Sequence, residues 1–337
     1  MNQRIAELLV KYRLVCFMAS VVFIGLSGLG FAKLHYVSDY KNPDINTLAE
    51  EILKAKSRSR QIIWMIGAHV LRQGCSRLII NLMERGFITH LATNAAVAIH
   101  DFEMAFQGAT LEDVEFYIKD GQFGNWEETG RFVNEAIVRG YKRGIGFGES
   151  IGLMIEDEEC AGMSFKGVSV FAAAVRLGIP VTVHKGIGYD ITDQHPSADF
   201  AAIGKTSGED FLIFAKSVSK LENGVFLNLG SSVMGPEVYL KALSIARNLA
   251  SQEGREIKHF TTAVFDLVPF GNWQEEDDIV DYKKPGRMSD PRYYFRPLKS
   301  ILVRTVKDGG KSHYIQGDFK DTVPALYTAL HNRINRP

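Results

Sequence analysis

Short apolar runs alternate with helical patterns along most of the chain, and this alternation restricts the fold more than any other feature. Apolar runs separated by helices predict βαβ units, whose strands form a parallel sheet that is buried on both faces. The sequence therefore predicts an α/β, Rossmann-like, doubly wound fold with a mostly parallel sheet. The predicted strands cover residues 61–66, 87–93, 180–184, 224–229, 259–265 and 301–306.

The charges and cysteines argue against several classes of function. Lys and Arg together number 39, as do Asp and Glu, so no net positive field favours a nucleic acid partner. A short basic cluster at residues 54–60 fits a solvated helix face. Cys16, Cys75 and Cys160 form no CxxC pair and have no histidine at metal-ligand spacing. No disulfide scaffold and no metal site are therefore predicted.

The N-terminal segment differs from the rest of the chain. Residues 14–32 carry no charge, and Arg13 and Lys33 flank them. Their length is near the lower limit for a membrane-spanning helix, about 17–25 residues. A signal peptide or a buried N-terminal helix would fit the same pattern. A polar linker follows, so the sequence predicts a hydrophobic segment with its linker at residues 1–44 and one large domain at residues 45–337.

Polar and small residues gather just after several predicted strands. Ligands of parallel sheets bind outside the carboxyl ends of the strands, so these positions form the candidate site. Backbone amides at a glycine turn that opens a helix can hold a phosphate. Histidines beside acids can move protons or bind ribose hydroxyls. The candidate residues are Gly67, Ala68, His69, Thr93, Asn94, His100, Asp101, His184, Asp190, His195, Gly230, Ser231 and Asp266.

Two further segments allow more than one interpretation. Residues 144–149, Gly-Ile-Gly-Phe-Gly-Glu, have the composition of a phosphate loop. No predicted strand precedes them, so the pattern favours a connection between two helices. Residues 269–296 are rich in Gly, Pro, Asp and Tyr and have no apolar period. This segment is long for a structureless loop, which predicts a functional lid or an insertion.

Taken in order, these segments resemble the deoxyhypusine synthase family over roughly residues 50–337. Residues 67–74 stand where the family has Ser-Asn-x-x-x-Ser-Gly, and residues 93–101 where it has Thr-Thr-Ala-Gly-Gly-x-Glu-Glu-Asp. Residues 230–237 match its glycine-rich turn. The segments Trp-Met-x-Gly-Ala-His and Ile-His-Asp-Phe-Glu are similar to those of an uncharacterised bacterial branch.

The resemblance implies NAD at the strand ends, a homotetramer, and a transferase that acts on a polyamine, another amine or another small substrate. It places the family's aspartate on Asp318 and its imine-forming lysine on Tyr314. The expected function is therefore a NAD-dependent enzyme without that lysine. The alternatives are a non-catalytic nucleotide-binding protein and a deoxyhypusine synthase that uses Lys311 or Lys320.

The resemblance and the strand ends together divide the candidate residues into two groups. NAD implies a cytoplasmic domain, whereas residues 14–32 leave membrane anchoring as an alternative. The candidate catalytic residues are His100, Asp101, His184 and His195. The candidate cofactor-binding residues are Gly67, Ala68, His69, Thr93, Asn94, Asp190, Gly230, Ser231, Asp266 and Asp318.

Overall fold

The computed structural model describes residues 39–157, 162–270 and 291–334, which all belong to one compact unit. Their six strands are β1 (Ile62–Ile66), β2 (His90–Asn94), β3 (Val181–His184), β4 (Val225–Leu229), β5 (Thr261–Asp266) and β6 (Lys311–Gln316). All pairings are parallel, and the order across the sheet is β3-β2-β1-β4-β5-β6. This order is that of the doubly wound dinucleotide-binding fold. The predicted α/β, Rossmann-like architecture is confirmed.

Helices cover both faces of the sheet. Side chains of β1 alternate between the two resulting cores: Trp64 packs with α1, α3 and α11 on one face, and Met65 packs with α9 and α10 on the other. The helices are α1 (Pro43–Ser57), α2 (Ala68–Arg72), α3 (Ser76–Glu84), α4 (Ala95–Gln107), α5 (Val114–Tyr117), α6 (Glu127–Arg143), α7 (Phe147–Glu156), α8 (Val170–Arg176), α9 (Phe200–Val218), α10 (Met234–Gln252) and α11 (Phe319–Ile334).

The sixth predicted strand was placed wrongly. Residues 301–306 lie at the end of a π-helix, Leu298–Val303, and in the turn after it. The apolar run is explained by packing, because Ile301 is buried against the sheet. The sixth strand, Lys311–Gln316, is at the edge of the sheet and both of its ends are exposed. Because its end residues are polar, this strand lacks the continuous apolar run by which the other strands were predicted.

Two predictions fall on segments outside the described residues. The predicted N-terminal hydrophobic helix at residues 14–32 is one of them, and most of the predicted lid, residues 271–290, is the other. The division of the chain at residue 44 stays a prediction. Of the helices in the described ranges, none is long and apolar enough to cross a membrane.

Candidate functional site

The strand order reverses between β1 and β4, which are neighbours in the sheet but far apart in the sequence. Ile66, the last residue of β1, is in register with Leu229, the last residue of β4. In open parallel sheets this switch point leaves a crevice outside the carboxyl ends of the strands, where ligands bind. We call the region formed by residues 67–69 and 230–234 the crevice.

Two glycines bring the walls of the crevice together. A Cβ atom on Gly67 would lie 2.3 Å from the carbonyl oxygen of Gly230, which is closer than packed atoms can approach. Gly230 has φ +69°, and a Cβ there would lie 2.6 Å from the Phe319 ring. The Gly67 N–H donates to the Leu229 carbonyl oxygen at 2.8 Å. Side chains are therefore excluded from both turns, and the backbone itself faces the crevice.

Backbone N–H groups from two helix starts meet at the crevice. Those of Ala68 and His69 begin α2, and those of Ser232 and Val233 precede α10; none of the four has an acceptor among the described residues. The 19-residue α10 also presents the positive end of its dipole here. Donors of this kind hold phosphate groups without a charged side chain.

Acidic side chains follow the strands on one side of the crevice. Asp266 ends β5, and its Oδ1 accepts from the Leu267 N–H at 2.8 Å. Asp318 follows β6, and its Oδ1 accepts from Nε2 of Gln73 at 3.2 Å. Oε1 of Gln73 in turn accepts from the Lys320 N–H at 2.9 Å. Gln73, which sequence reasoning did not single out, therefore ties Asp318 to the end of α2.

The end of β2 borders the other side. Oδ1 of Asn94 accepts from the Val97 N–H at 3.2 Å, so Asn94 caps α4. Thr93 is fully buried, and its hydroxyl donates to the Thr182 carbonyl oxygen at 2.9 Å. Asn94 is thus at the edge of the crevice, whereas Thr93 joins β2 to β3.

His184 lies in the core rather than at the surface. Its Nε2 is 3.1 Å from the Thr182 hydroxyl, which also lies 2.9 Å from Nε2 of His90. Burial lowers the pKa of His184 to about 3. Burial, and then repulsion from a protonated His184, lower the pKa of His90 to about 3 as well. Both rings are therefore neutral at neutral pH, so the predicted catalytic role of His184 gains no support from its position.

Asp101 is also occupied within the fold. Its Oδ2 accepts from the Ser169 hydroxyl at 2.5 Å and its Oδ1 from the Val170 N–H at 2.8 Å, at the start of α8. Burial raises the pKa of Asp101 to about 6, although these hydrogen bonds act in the opposite direction. The neighbouring His100 faces another way, with Nδ1 3.5 Å from Oε2 of Glu103.

The two remaining candidate histidines border the start of α6, not the crevice. Glu103, the partner of His100, accepts at Oε1 from the Thr129 hydroxyl at 3.1 Å. Nε2 of His195 lies 3.1 Å from Oε2 of Glu127. Hydrogen bonds from His195 and then Arg131 lower the pKa of Glu127. The structure thus separates the predicted catalytic residues from the predicted phosphate-binding turns.

Asp190 takes part in an internal ion pair. Nζ of Lys185 lies 3.1 Å from Oδ2 of Asp190 and 2.8 Å from Oδ1 of Asp193, and the Lys185 side chain is fully buried. Burial raises the pKa of Asp190 above its usual value, although the positive charge of Lys185 acts in the opposite direction. Asp193 also accepts from the Gly188 N–H at 2.7 Å. These contacts fix the loop that follows β3.

The glycine-rich segment at residues 144–149 connects α6 to α7 through residues 144–146, as the sequence predicted. At the start of α7, a carboxylate of the same chain accepts a backbone hydrogen bond. Oδ2 of Asp210 accepts from the Gly148 N–H at 2.9 Å and from the Val183 N–H at 2.7 Å. A Cβ on Gly146 would lie 1.8 Å from the other carboxylate oxygen. Burial raises the pKa of Asp210 to about 8. Sequence reasoning missed this residue, because nothing on α9 marks a partner so distant in sequence.

A family model and several solved structures match the chain. Residues 46–122 match the model described as arginine dihydrolase ArgZ-like, C-terminal, Rossmann fold. This region contains β1, β2 and the α2 side of the crevice. Comparison with curated proteins gave no sequence match.

Comparison with solved structures gave matches at low sequence identity. ArgZ in its apo form, an arginine dihydrolase from the ornithine-ammonia cycle in cyanobacteria, has a TM-score of 0.51 and 14% identity, covering 86% of this chain and 33% of its own. A conserved LOR/SDH protein from Methanococcus maripaludis S2 has a TM-score of 0.48 and 13% identity, covering 90% and 73%. The ternary complex of AgrE with ornithine and NAD+ has a TM-score of 0.47 and 15% identity, covering 86% and 33%. This chain spans about a third of the length of ArgZ and AgrE.

These findings overturn the resemblance to deoxyhypusine synthase. The family model that matches describes arginine dihydrolases of the ArgZ type, and ArgZ itself is similar in fold, so the predicted transferase chemistry and polyamine substrate are wrong. A displaced lysine is wrong as well: Lys311 is at the amino end of β6, where its Nζ lies 2.9 Å from Oε1 of Glu51. The misleading motifs were strand ends and glycine turns, which any Rossmann fold requires. Over its first βαβ unit, this chain is similar to the Rossmann domain of ArgZ-like arginine dihydrolases.

Proposed function

We propose that the domain binds a dinucleotide in the crevice, with NAD as the first candidate. The observation that carries this proposal is the convergence of unpaired backbone N–H groups from α2 and α10 at the switch point. The strand order is the one that binds dinucleotides in doubly wound folds. The two glycines that exclude side chains would let a pyrophosphate approach the backbone.

In this proposal the candidate residues that border the crevice have defined parts. The turns at residues 67–69 and 230–231 border the pyrophosphate. Asp266 and Asp318 are carboxylates that can accept hydrogen bonds from ribose hydroxyls. Asn94 contributes its amide at the end of β2. Bound NAD would supply hydride chemistry, and these residues would bind and orient it.

The substrate class proposed for testing is a small amino acid. The matched family is named for arginine dihydrolases, and ArgZ, which shares the fold, is an arginine dihydrolase. The proposal gives Cys75 no role as a nucleophile. Cys75, the one cysteine within the described ranges, is buried, and burial raises its thiol pKa to about 12. A thiol with that pKa is a poor nucleophile.

Calorimetric titration of the full chain with NAD+ tests the proposal. Ser232→Asp adds a negative charge beside the unpaired N–H groups, where it would repel a pyrophosphate but suit the start of α10. We expect this variant to lose at least tenfold in NAD+ affinity while it keeps its melting temperature.

Ser244→Asp is the matched control. Ser244 is exposed on α10, about 15 Å along the axis from its start, and this variant should bind NAD+ like the wild type. No NAD+ binding by the wild type would refute the cofactor assignment. Equal losses in both variants would place the nucleotide elsewhere.

A further inference from the structure

A cavity lies at the amino ends of the strands, on the opposite side of the sheet from the crevice. Its volume is about 340 Å³, and it is formed by the end of α1 and by the turns that lead into β4, β5 and β6. This volume is at the lower end of the range for small-molecule sites, about 300–1,000 Å³. The proposed dinucleotide function makes no use of it.

Positive side chains from separate parts of the chain line this cavity. Lys54 and Arg58 come from the end of α1, and Lys311 comes from the start of β6. His259, before β5, also lines it. The one carboxylate in the lining is Glu51, so three permanent positive charges face a single negative one.

Glu51 holds the two lysines at one wall. Its Oε1 lies 2.9 Å from Nζ of Lys311 and 3.4 Å from Nζ of Lys54. Burial alone would raise the pKa of Glu51, but the two lysines lower it, so the carboxylate stays ionised. Arg58 pairs with no side chain in the described ranges. Its guanidinium therefore remains available for an anion.

Ordinary turn geometry fixes the backbone on two sides of the cavity. Ser59, which follows Arg58 directly, has φ 51°. The N–H groups of Ser59 and Arg60 donate to the carbonyl oxygens of Lys56 and Ala55 at 3.0 and 2.8 Å, which is the usual way for a helix to end. Asn223, which lines the cavity, has φ 61°, a conformation that asparagine tolerates. The charge and the volume of the cavity therefore carry the argument for a ligand.

We propose that this cavity binds the phosphate group of a small phosphorylated molecule, with Arg58, Lys54 and Lys311 as its ligands. Arginine and lysine hydrogen bonds to phosphate are charge-assisted. The excess of positive charge in the lining matches a doubly negative group. The cavity is larger than a bare phosphate requires, so it leaves room for the attached molecule. The proposal does not depend on dinucleotide binding in the crevice.

Titration of the full chain with inorganic phosphate, followed by ³¹P NMR line width, tests this site. We expect saturable binding that weakens at least fivefold in Arg58→Gln and in Lys311→Gln. Arg60→Gln is the matched control, because Arg60 is exposed nearby but does not line the cavity. Ser232→Asp, which blocks the crevice, should bind phosphate like the wild type.

Three other results would contradict the proposal. Non-saturable line broadening would mean that phosphate has no defined site. Equal losses in Arg58→Gln and Arg60→Gln would mean general attraction to a basic surface. Loss of binding in Ser232→Asp would place the phosphate in the crevice. All four positions are exposed, so the folded state should survive every substitution.

Discussion

The crevice and the turn at residues 144–148 use the same local design with opposite results. Each brings glycines to the start of a helix, where backbone N–H groups are exposed for hydrogen bonding. At the turn, Asp210 accepts the hydrogen bond of Gly148, and the same carboxylate oxygen accepts that of Val183 on β3. In the crevice, the N–H groups of Ala68 and Ser232 have no acceptor among the described residues. The turn is satisfied by the chain itself, whereas the crevice retains its capacity for a ligand.

The difference follows from position relative to the sheet. The turn packs at the amino end of β3, where a Cβ on Gly148 would lie 2.2 Å from the Val181 carbonyl oxygen. The crevice is at the carboxyl ends of β1 and β4. Glycine spacing alone therefore does not identify a phosphate site. A preceding strand and the absence of an internal carboxylate are the additional requirements.

The largest effect is expected from Gly67→Ala. The added methyl group would meet backbone atoms of Gly230, which cannot rotate away, so the unfolding free energy should fall by about 3 kcal/mol or more. Urea denaturation measures it. Gly204→Ala is the control: its Cβ meets no atom within 4 Å, and alanine inside α9 should add about 0.5–1 kcal/mol. Equal stability of the two variants would show that the close approach is unnecessary.

Asp210→Ala should lower the free energy of unfolding by a smaller amount. It also tests whether the turn affects stability without affecting NAD+ binding. Two buried N–H groups would lose their acceptor, at about 1–3 kcal/mol each. Removal of a costly buried carboxyl group offsets part of this loss. We expect a net destabilisation of about 2 kcal/mol and unchanged NAD+ affinity in the folded variant. A loss of NAD+ affinity at constant fold would contradict the structural role of the turn.

The smallest effect is expected from Asp210→Asn, and it should depend on pH. Burial raises the pKa of Asp210 from 3.8 to about 8 in the folded chain. The folded state thus binds more protons than the unfolded state between these values, and this residue lowers stability as pH rises. The amide oxygen of asparagine can accept the same two hydrogen bonds.

Melting temperatures at pH 5 and pH 8 test this expectation. Relative to the wild type, the Asp210→Asn variant should gain stability between the two values. A constant difference at both pH values would show that Asp210 titrates normally.

Most of the fold could be predicted because strands buried on both faces leave a direct trace in the sequence. The apolar runs before Gly67 and Gly230 were predicted as strands. The glycine turns that follow them were predicted as turns. The edge strand β6 left no such trace, because Lys311 and Gln316 are exposed. Apolar periodicity indicates which residues are buried. It therefore gives a wrong secondary structure where a helix has a continuous buried run or where a strand is partly exposed.

The candidate site could be predicted only in part. Positions at strand ends, such as Asn94 and Asp266, follow from the chain order. The partners of buried polar groups do not, because Asp101 caps a helix that begins at Val170, and the His184 ring packs edge-on against Phe214. These contacts depend on the packing of distant helices, which local patterns do not specify.

The carboxylate of Asp210 also has a consequence for the edge of the sheet. β3 is an edge strand, and an edge strand with free N–H groups can recruit a strand from another molecule. The hydrogen bond from Val183 to Asp210 removes one such group from the outer side of a four-residue strand. The residue that closes the glycine turn therefore also satisfies an outward N–H group of the edge strand, which is a position where sheets can otherwise pair with another chain.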